Sequence, residues 1–333
     1  MSGFVARNKP TWDELETLVR RARKSVRSMT PDEMNRLDVL YRRTTIHLAQ
    51  VSTRSSDQAL VRYLNDLTAS AHSVIYVPPR QSMFAGFARF VVDVIPRSLA
   101  RNGPYHLVSA ALLIGGAVIA YFSAMADPLA AYALWSPGDE RQPGSTYDQL
   151  LEVLRHGRDD SGGEKFLFAS FLFQNNLRVG ILAAATGVAA GVPSVILMFY
   201  NGMLLGVFAA IHHRAGITAE IWAWILPHGV TEMLAVVLCG GVGLMLGYAV
   251  IAPGLRTRRD ALHDAGREAG VTIACAFGML VFAAIVESFL RQSHLSTGAR
   301  LMFAAATAVF WVLVFVYGYV RERAVNSQRS AAM

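Results

Sequence analysis

Apolar residues recur along this chain in two different ways. Up to residue 79 they return every three or four positions, separated by charged and polar residues. From about residue 105 to residue 320 they run in long blocks divided by short polar joints. The first pattern predicts amphipathic helices in water. The second predicts helices that are apolar all round, which are either fully buried or cross a bilayer.

Residues 1–79 read as a soluble three-helix domain. Thr11-Trp12-Asp13-Glu14 fits a capping box, in which the Thr oxygen and the Glu carboxylate satisfy backbone N–H groups reciprocally. Helix one is expected to run from there to about Ser28, with Trp12, Leu15, Leu18, Val19, Ala22 and Val26 at helical spacing. Thr30-Pro31-Asp32-Glu33 is a second box, with Pro at the first helical position. Helix two then shows Met34, Leu37, Leu40, Tyr41, Ile46, Leu48 and Val51. Helix three starts near Ser56-Asp57, presents Leu60, Tyr63, Leu64, Leu67, Ala71 and Ile75, and stops at Pro78-Pro79. The basic run Arg20-Arg21-Arg23-Lys24-Arg27 reads as a solvated face, with contact to anionic lipid as the sharper alternative.

Residues 80–104 form a transition. Phe84, Phe87, Phe90, Val91, Val94 and Ile95 make an apolar stripe, with Arg89, Arg97 and Arg101 elsewhere. This pattern suits a helix lying in the headgroup layer. Asn102-Gly103-Pro104 makes the break before the membrane region, 105–320.

Six spans are predicted there: about 105–126, 166–190, 194–212, 221–251, 270–290 and 301–320. The 127–165 segment is polar and acidic, with eight Asp or Glu against four Lys or Arg, and a short helix is expected at Tyr147–Leu154. The loop 253–268 and the tail 321–333 are basic. Basic loops stay on the cytoplasmic side. A chain entering with its N-terminus inside puts residues 1–104, the 253–268 loop and the tail in the cytoplasm, and the acidic segment outside. Charge and span count therefore give the same orientation.

Composition agrees. Of the 333 residues, 53% are hydrophobic, and the mean hydropathy is +0.35, too apolar for an ordinary soluble protein of this size. The net charge of +7 comes from basic residues beside apolar blocks, as in the cytoplasmic flanks of membrane proteins, and nucleic acid is not expected as a partner. The two cysteines, Cys239 and Cys275, lie within apolar runs without metal-ligand spacing and read as small buried hydrophobes. The N-terminus lacks a signal peptide's apolar core, so the first span is expected to direct insertion.

Within the apolar blocks stand polar residues that a lipid-facing helix should not carry: Asn175, Asn176, Arg178, Asn201, His228, Glu232 and Glu287. A charge near the bilayer centre costs about 2.5–3.5 kcal/mol on insertion scales, so such groups tend to face protein or water and to have partners. Asn175 and Arg178 share a helix face, as do His228 and Glu232, while Asn176 points about 100° away from Asn175. The expected arrangement brings Asn175, Arg178, His228, Glu232 and Glu287 together in the outer half of the membrane, with Arg178 paired to Glu232 or Glu287, while Asn201 lies nearer the cytoplasmic side. Pro227-His228-Gly229 reads either as a break in the fourth span, as at cavity linings, or as an opening turn at the outer surface. Gly202-Gly206-Ala210 and Cys239-Gly243-Gly247 are small-residue stripes that let helix backbones approach closely. His228 and Glu232 do not make the His-Glu-x-x-His zinc spacing, and the chain has no G-x-S-x-G or Walker-type loop. No cofactor, metal site or catalytic residue is expected.

Several pieces also resemble the stage II sporulation protein M family of integral membrane proteins. They are Trp12 with Leu15 and Leu18, Leu37-Asp38-Val39-Leu40-Tyr41-Arg42, Tyr63-Leu64-Asn65-Asp66-Leu67 and Ala71-His72-Ser73-Val74-Ile75-Tyr76 in the soluble part. In the membrane part they are Gln174-Asn175-Asn176, Asn201-Gly202-Met203-Leu204-Leu205-Gly206, Leu226-Pro227-His228-Gly229-Val230-Thr231-Glu232, and Glu287. The resemblance implies a scaffold, since members in endospore formers are similar to scaffolds that help hold cell-wall hydrolases during engulfment. It brings no established catalytic or transport residues. Shorter members lack a domain like residues 1–79, so the chain resembles the longer type, common in bacteria that do not sporulate.

The reading is an all-α polytopic membrane bundle with an N-terminal soluble helical bundle, in the bacterial inner membrane with both termini cytoplasmic. The expected function is a non-enzymatic scaffold that positions partner proteins at the cell envelope. Its partners would be the lipid bilayer and membrane or envelope proteins, with a homo-oligomer also allowed. The alternative is a small-solute transporter or channel lined by Asn175, Arg178, His228, Glu232 and Glu287.

Overall fold

The computed structural model describes residues 2–25, 29–54, 57–76, 82–135, 139, 141–159, 175–291 and 295–331. Their regular structure is helical throughout, with no strand among them. The chain divides into two units, Met1–Gly86 and Phe87–Met333.

The first unit holds α1 (Ser2–Lys24), α2 (Pro31–Arg54) and α3 (Gln58–Ile75), which pack pairwise. Two of the expected helix starts are capped as read. Thr30 N–H donates to Glu33 Oε2 at 2.9 Å while Glu33 N–H donates to Thr30 Oγ1 at 3.3 Å. Asp57 Oδ1 accepts from the amides of Ala59 and Leu60. The first start differs, because α1 begins at Ser2 and runs through Pro10. An interior proline costs about 3 kcal/mol. The extra turns persist because Phe4 and Val5 pack on the core, with the Phe4 ring 5.5 Å from that of His47 and 6.4 Å from that of Trp12.

The buried side of α2 is Leu37, Leu40, Thr44, His47 and Val51, at alternating spacings of three and four. Ile46, expected on this side, is exposed, and His47 takes its place. The His47 imidazole is held by Trp12, whose Nε1–H donates to His47 Nδ1 at 3.1 Å. The basic run on α1 is largely partnered, Arg20 with Glu16, Arg21 with Glu33 and Arg23 with Ser70. Val26, Arg27, Ser28, Pro78 and Pro79 lie outside the described residues.

The boundary between the units falls within α4 (Met83–Arg89), from which a helical run leads through a π turn (Phe90–Val94) and α5 (Ile95–Arg101) to α6 (Gly103–Ala126). Two short helices come next, α7 (Pro128–Leu134) and α8 (Tyr147–Asp159). The predicted second span is described only from residue 175, where α9 covers 175–185, and its expected start at 166–174 lies outside the described residues. A 3-10 turn (Thr186–Val188) leads to α10 (Val192–Arg214), α11 (Thr218–Ile251), α12 (Arg258–Arg291) and α13 (Thr297–Ala331). Among the described residues five helices, α6 and α10 to α13, are long and apolar enough to cross a membrane.

The last two helices exceed their predicted spans. The basic segment read as a loop over 253–268 is helical from Arg258, and α13 continues past the predicted tail boundary to Ala331. Apolarity marks where a helix meets lipid, not where its hydrogen bonding ends. At 1.5 Å per residue α12 is about 51 Å long, well over the ~30 Å hydrocarbon core.

Helix α11 is the centre of the bundle and packs on α6, α10, α12 and α13. It runs unbroken through Pro227, so neither the expected break nor the opening turn occurs there. The small-residue stripes do what such stripes allow. A Cβ on Gly202 or Gly206 of α10 would collide with the backbone of Leu113 or Ala117 on α6. One on Gly243 or Gly247 of α11 would collide with the backbone at Ala183 or Gly191.

Candidate functional site

Helix α9 and the turn that follows it run beside α11, with Gly180 facing Cys239, Gly187 facing Gly243 and Gly191 facing Gly247. Higher along the same contact, Asn176 Nδ2 donates to Glu232 Oε2 at 3.0 Å. Glu232 is only 6% exposed. Its neighbour Thr231 is buried too and accepts a hydrogen bond from Trp311 Nε1 of α13 at 3.0 Å. Adjacent residues of the central helix therefore tie it to two different neighbours. Glu287 of α12 is 1% exposed and close enough for its charge to act on Glu232. His228, one turn before Glu232 on the same face, is buried.

The structure thus brings Asn176, Glu232 and Glu287 together, with His228 on the face of Glu232. The other three predicted residues lie elsewhere. Asn175 and Arg178 are exposed on α9, and among the described residues Arg178 makes no ion pair. Asn176 takes the place beside Glu232 expected for Arg178, because the 100° step between successive residues turns Asn176 inward when Asn175 and Arg178 face out. Asn201 is half-buried and donates to Leu197 O of its own helix at 2.8 Å.

Several polar residues outside the predicted set are also buried. Arg300 of α13 donates to Leu290 O at 2.9 Å and to Leu295 O at 3.4 Å. A cation there complements the carbonyls at the end of α12, one turn past Glu287. At the opposite end of the bundle α5 is laced to α12 and α13. Arg97 pairs with Glu322 at 2.8 Å and Asp93 at 3.3 Å, Arg101 with Glu268 at 3.2 Å, and Arg321 with Asp93 at 2.9 Å. Ser98 Oγ donates to Glu268 Oε2 at 2.8 Å. Arg321 and then Arg97 hold the Asp93 carboxyl below the usual carboxylate range. Residues 95–101 thus pack against α12 and α13. The available signal was the recurrence of Ser98, Asn102, His106 and Ser109 at spacings of four, four and three, which puts small or polar groups on one buried face.

Among the described residues no group of three or more His, Cys, Asp or Glu side chains is placed to hold a metal ion. A cavity of about 250 Å³ opens at the C-terminal ends of α6 and α10, lined by Tyr132, Ile211 and Arg214 among others and by no member of the polar set. Most of the hydrogen bonds described above join one helix to another.

A family model described as Stage II sporulation protein M matches residues 109–291. The chain belongs to the stage II sporulation protein M family. A second model, a domain of unknown function (DUF8413), matches residues 2–77 and so covers the N-terminal three-helix unit separately. No curated protein and no solved structure matches the chain. The stage II sporulation protein M match takes in every residue of the predicted polar set and ends before α13. The ties that Trp311 and Arg300 make to this region therefore come from outside it. Family membership and five apolar helices together make this a multi-pass membrane protein.

Proposed function

We propose that this chain is a non-enzymatic scaffold of the bacterial inner membrane, with both termini in the cytoplasm, that positions partner proteins at the cell envelope. The observation that carries the reading is the use of the buried and half-buried polar groups. Asn176, Glu232, Thr231, Trp311 and Arg300 are engaged in joining α9, α11, α12 and α13 to one another. A bundle held in this way is a stable platform. The three-helix unit on one side and the acidic 127–165 segment on the other are the surfaces offered to partners. The basic flanks support the orientation.

A specific observation also favours a second reading. Two carboxyl side chains, Glu232 and Glu287, are buried within electrostatic reach of each other in the spanning region, as in ion and proton paths. Reconstitution separates the two. For the scaffold, Glu232→Gln leaves ion and solute flux in sealed vesicles at the level of protein-free vesicles, as does the parent chain, while crosslinking in native membranes captures defined envelope proteins. Flux in the parent chain that Glu232→Gln abolishes would sink the scaffold reading.

A further inference from the structure

Residues 83–94 carry an exposed apolar face. Met83 is 94% exposed, Phe84 82% and Phe87 66%, and Val91 and Val92 are exposed as well. Phe84, Phe87 and Val91 fall on one side of a helix, at spacings of three and four, and the exposed Arg89 falls on the other. The chain then makes its π turn, in which Ile95 N–H bonds to Phe90 O, five residues back. In an unbroken α-helix Phe87 and Val91 would share a face with Ser98, eleven and seven positions on, and Ser98 is buried. The wide turn admits about one extra residue and so rotates the succeeding helix by roughly 100°. The face that α5 buries is therefore not the face that carries Phe87 and Val91.

Beyond the turn the chain is fixed. Asp93 and Arg97 are held by Arg321 and Glu322, and Gly318 of α13 lies against the Pro96 carbonyl. After Asn102 the same run becomes α6, a membrane-spanning helix whose Leu107 and Val108 are exposed.

We propose that residues 83–94 are a surface-lying membrane anchor. Phe84, Phe87 and Val91 seat among the acyl chains of the leaflet from which α6 starts, and Arg89 stays among the headgroups. The orientation proposed above makes this the cytoplasmic leaflet. Lipid is the occupant because the face is continuous in sequence with the exposed apolar surface of a span, because Arg89 complements anionic headgroups, and because the π turn directs the face away from the bundle.

The test uses the full chain with its two buried cysteines replaced by alanine and one nitroxide label at position 84, 87, 89 or 91. It is reconstituted in vesicles of phosphatidylethanolamine and phosphatidylglycerol. The expected result is an oxygen-to-nickel-chelate collision ratio several-fold higher at 84, 87 and 91 than at 89. It should not change when the protein is diluted in lipid. Phe87→Asp should lower the ratio at 84 towards that of position 89 while a label at Val108 stays immersed. Equal, water-like ratios at all four positions would overturn the proposal. So would protection of 84 and 87 that vanishes on dilution, which would assign the face to a second copy of the chain. Immersion is read whether or not the protein is a scaffold and whichever leaflet is cytoplasmic, so the outcome is separate from that of the functional reading.

Discussion

In the N-terminal unit the interior is filled by large apolar side chains, Trp12, Leu15, Leu37, Leu40 and Leu64 among them, and these helices touch through their side chains. In the membrane unit the closest helix contacts come where a side chain is missing, at Gly202 and Gly206 against α6 and at Gly243 and Gly247 against the 183–191 region. Its large apolar residues, such as Phe310 and Leu313, are often exposed instead. The difference stems from the solvent. Water drives apolar surface inward. Lipid does not distinguish a Leu–Leu contact from a Leu–acyl contact, so helices associate through close backbone approach and hydrogen bonds. The two units share a helical fold and differ in what holds it together.

The sharpest way to break this comparison is to empty the first interior. Trp12→Ala is expected to cost about 3–5 kcal/mol, enough to unfold the three-helix unit, read as loss of its cooperative urea transition. In the second interior the damaging change is addition. Gly202→Leu is expected to cost about 1–3 kcal/mol or more through overpacking against the Leu113 backbone, while Phe310→Ala on the exposed face changes little. Both are read from thermal unfolding in detergent. A similar fall for the two would remove the distinction drawn between the units. Glu232→Ala leaves Asn176 without its partner and is expected to cost about 1–3 kcal/mol. Thr231→Val keeps the side chain's shape, removes the acceptor of the Trp311 bond, and is expected to cost about 0.6 kcal/mol in the same thermal measurement, near the average for such bonds in a membrane protein.

The smallest effect concerns pH. Burial first, and Arg43 second, lower His47 below the ordinary histidine value of 6.5. The Trp12 bond requires an unprotonated Nδ1. The unfolded chain therefore takes up a proton at a higher pH than the folded one does. Stability of the N-terminal unit is full above pH 6.5 and declines as pH falls from there towards the lowered folded value. Urea midpoints measured across that range should show the slope, and His47→Gln should flatten it.

Much of the fold was legible in the sequence, because helical periodicity and apolar blocks report directly on what surrounds a helix. The capped starts at Thr30 and Asp57 and the packing stripes of α10 and α11 were readable from local spacing alone. Where local rules failed, a distant contact had overridden them. The box at Thr11 does not start a helix because Phe4 and Val5 find partners across the core. His47 displaced Ile46 because Trp12 offers it a hydrogen bond from another helix. Of the polar set, spacing showed that Asn175 and Asn176 must face different ways but could not say which of them turns inward.

The sequence by itself determined that this is a helical membrane protein with a separate helical unit in front. Both statements rest on the solvent that each stretch of residues requires. Only the tertiary structure decided which polar groups meet. Asn176 joins Glu232, Trp311 joins Thr231 across 80 positions, and Arg97 reaches Glu322 across 225. A hydrogen bond has a fixed short reach, and which groups fall within it depends on how the helices are rotated and aligned against one another.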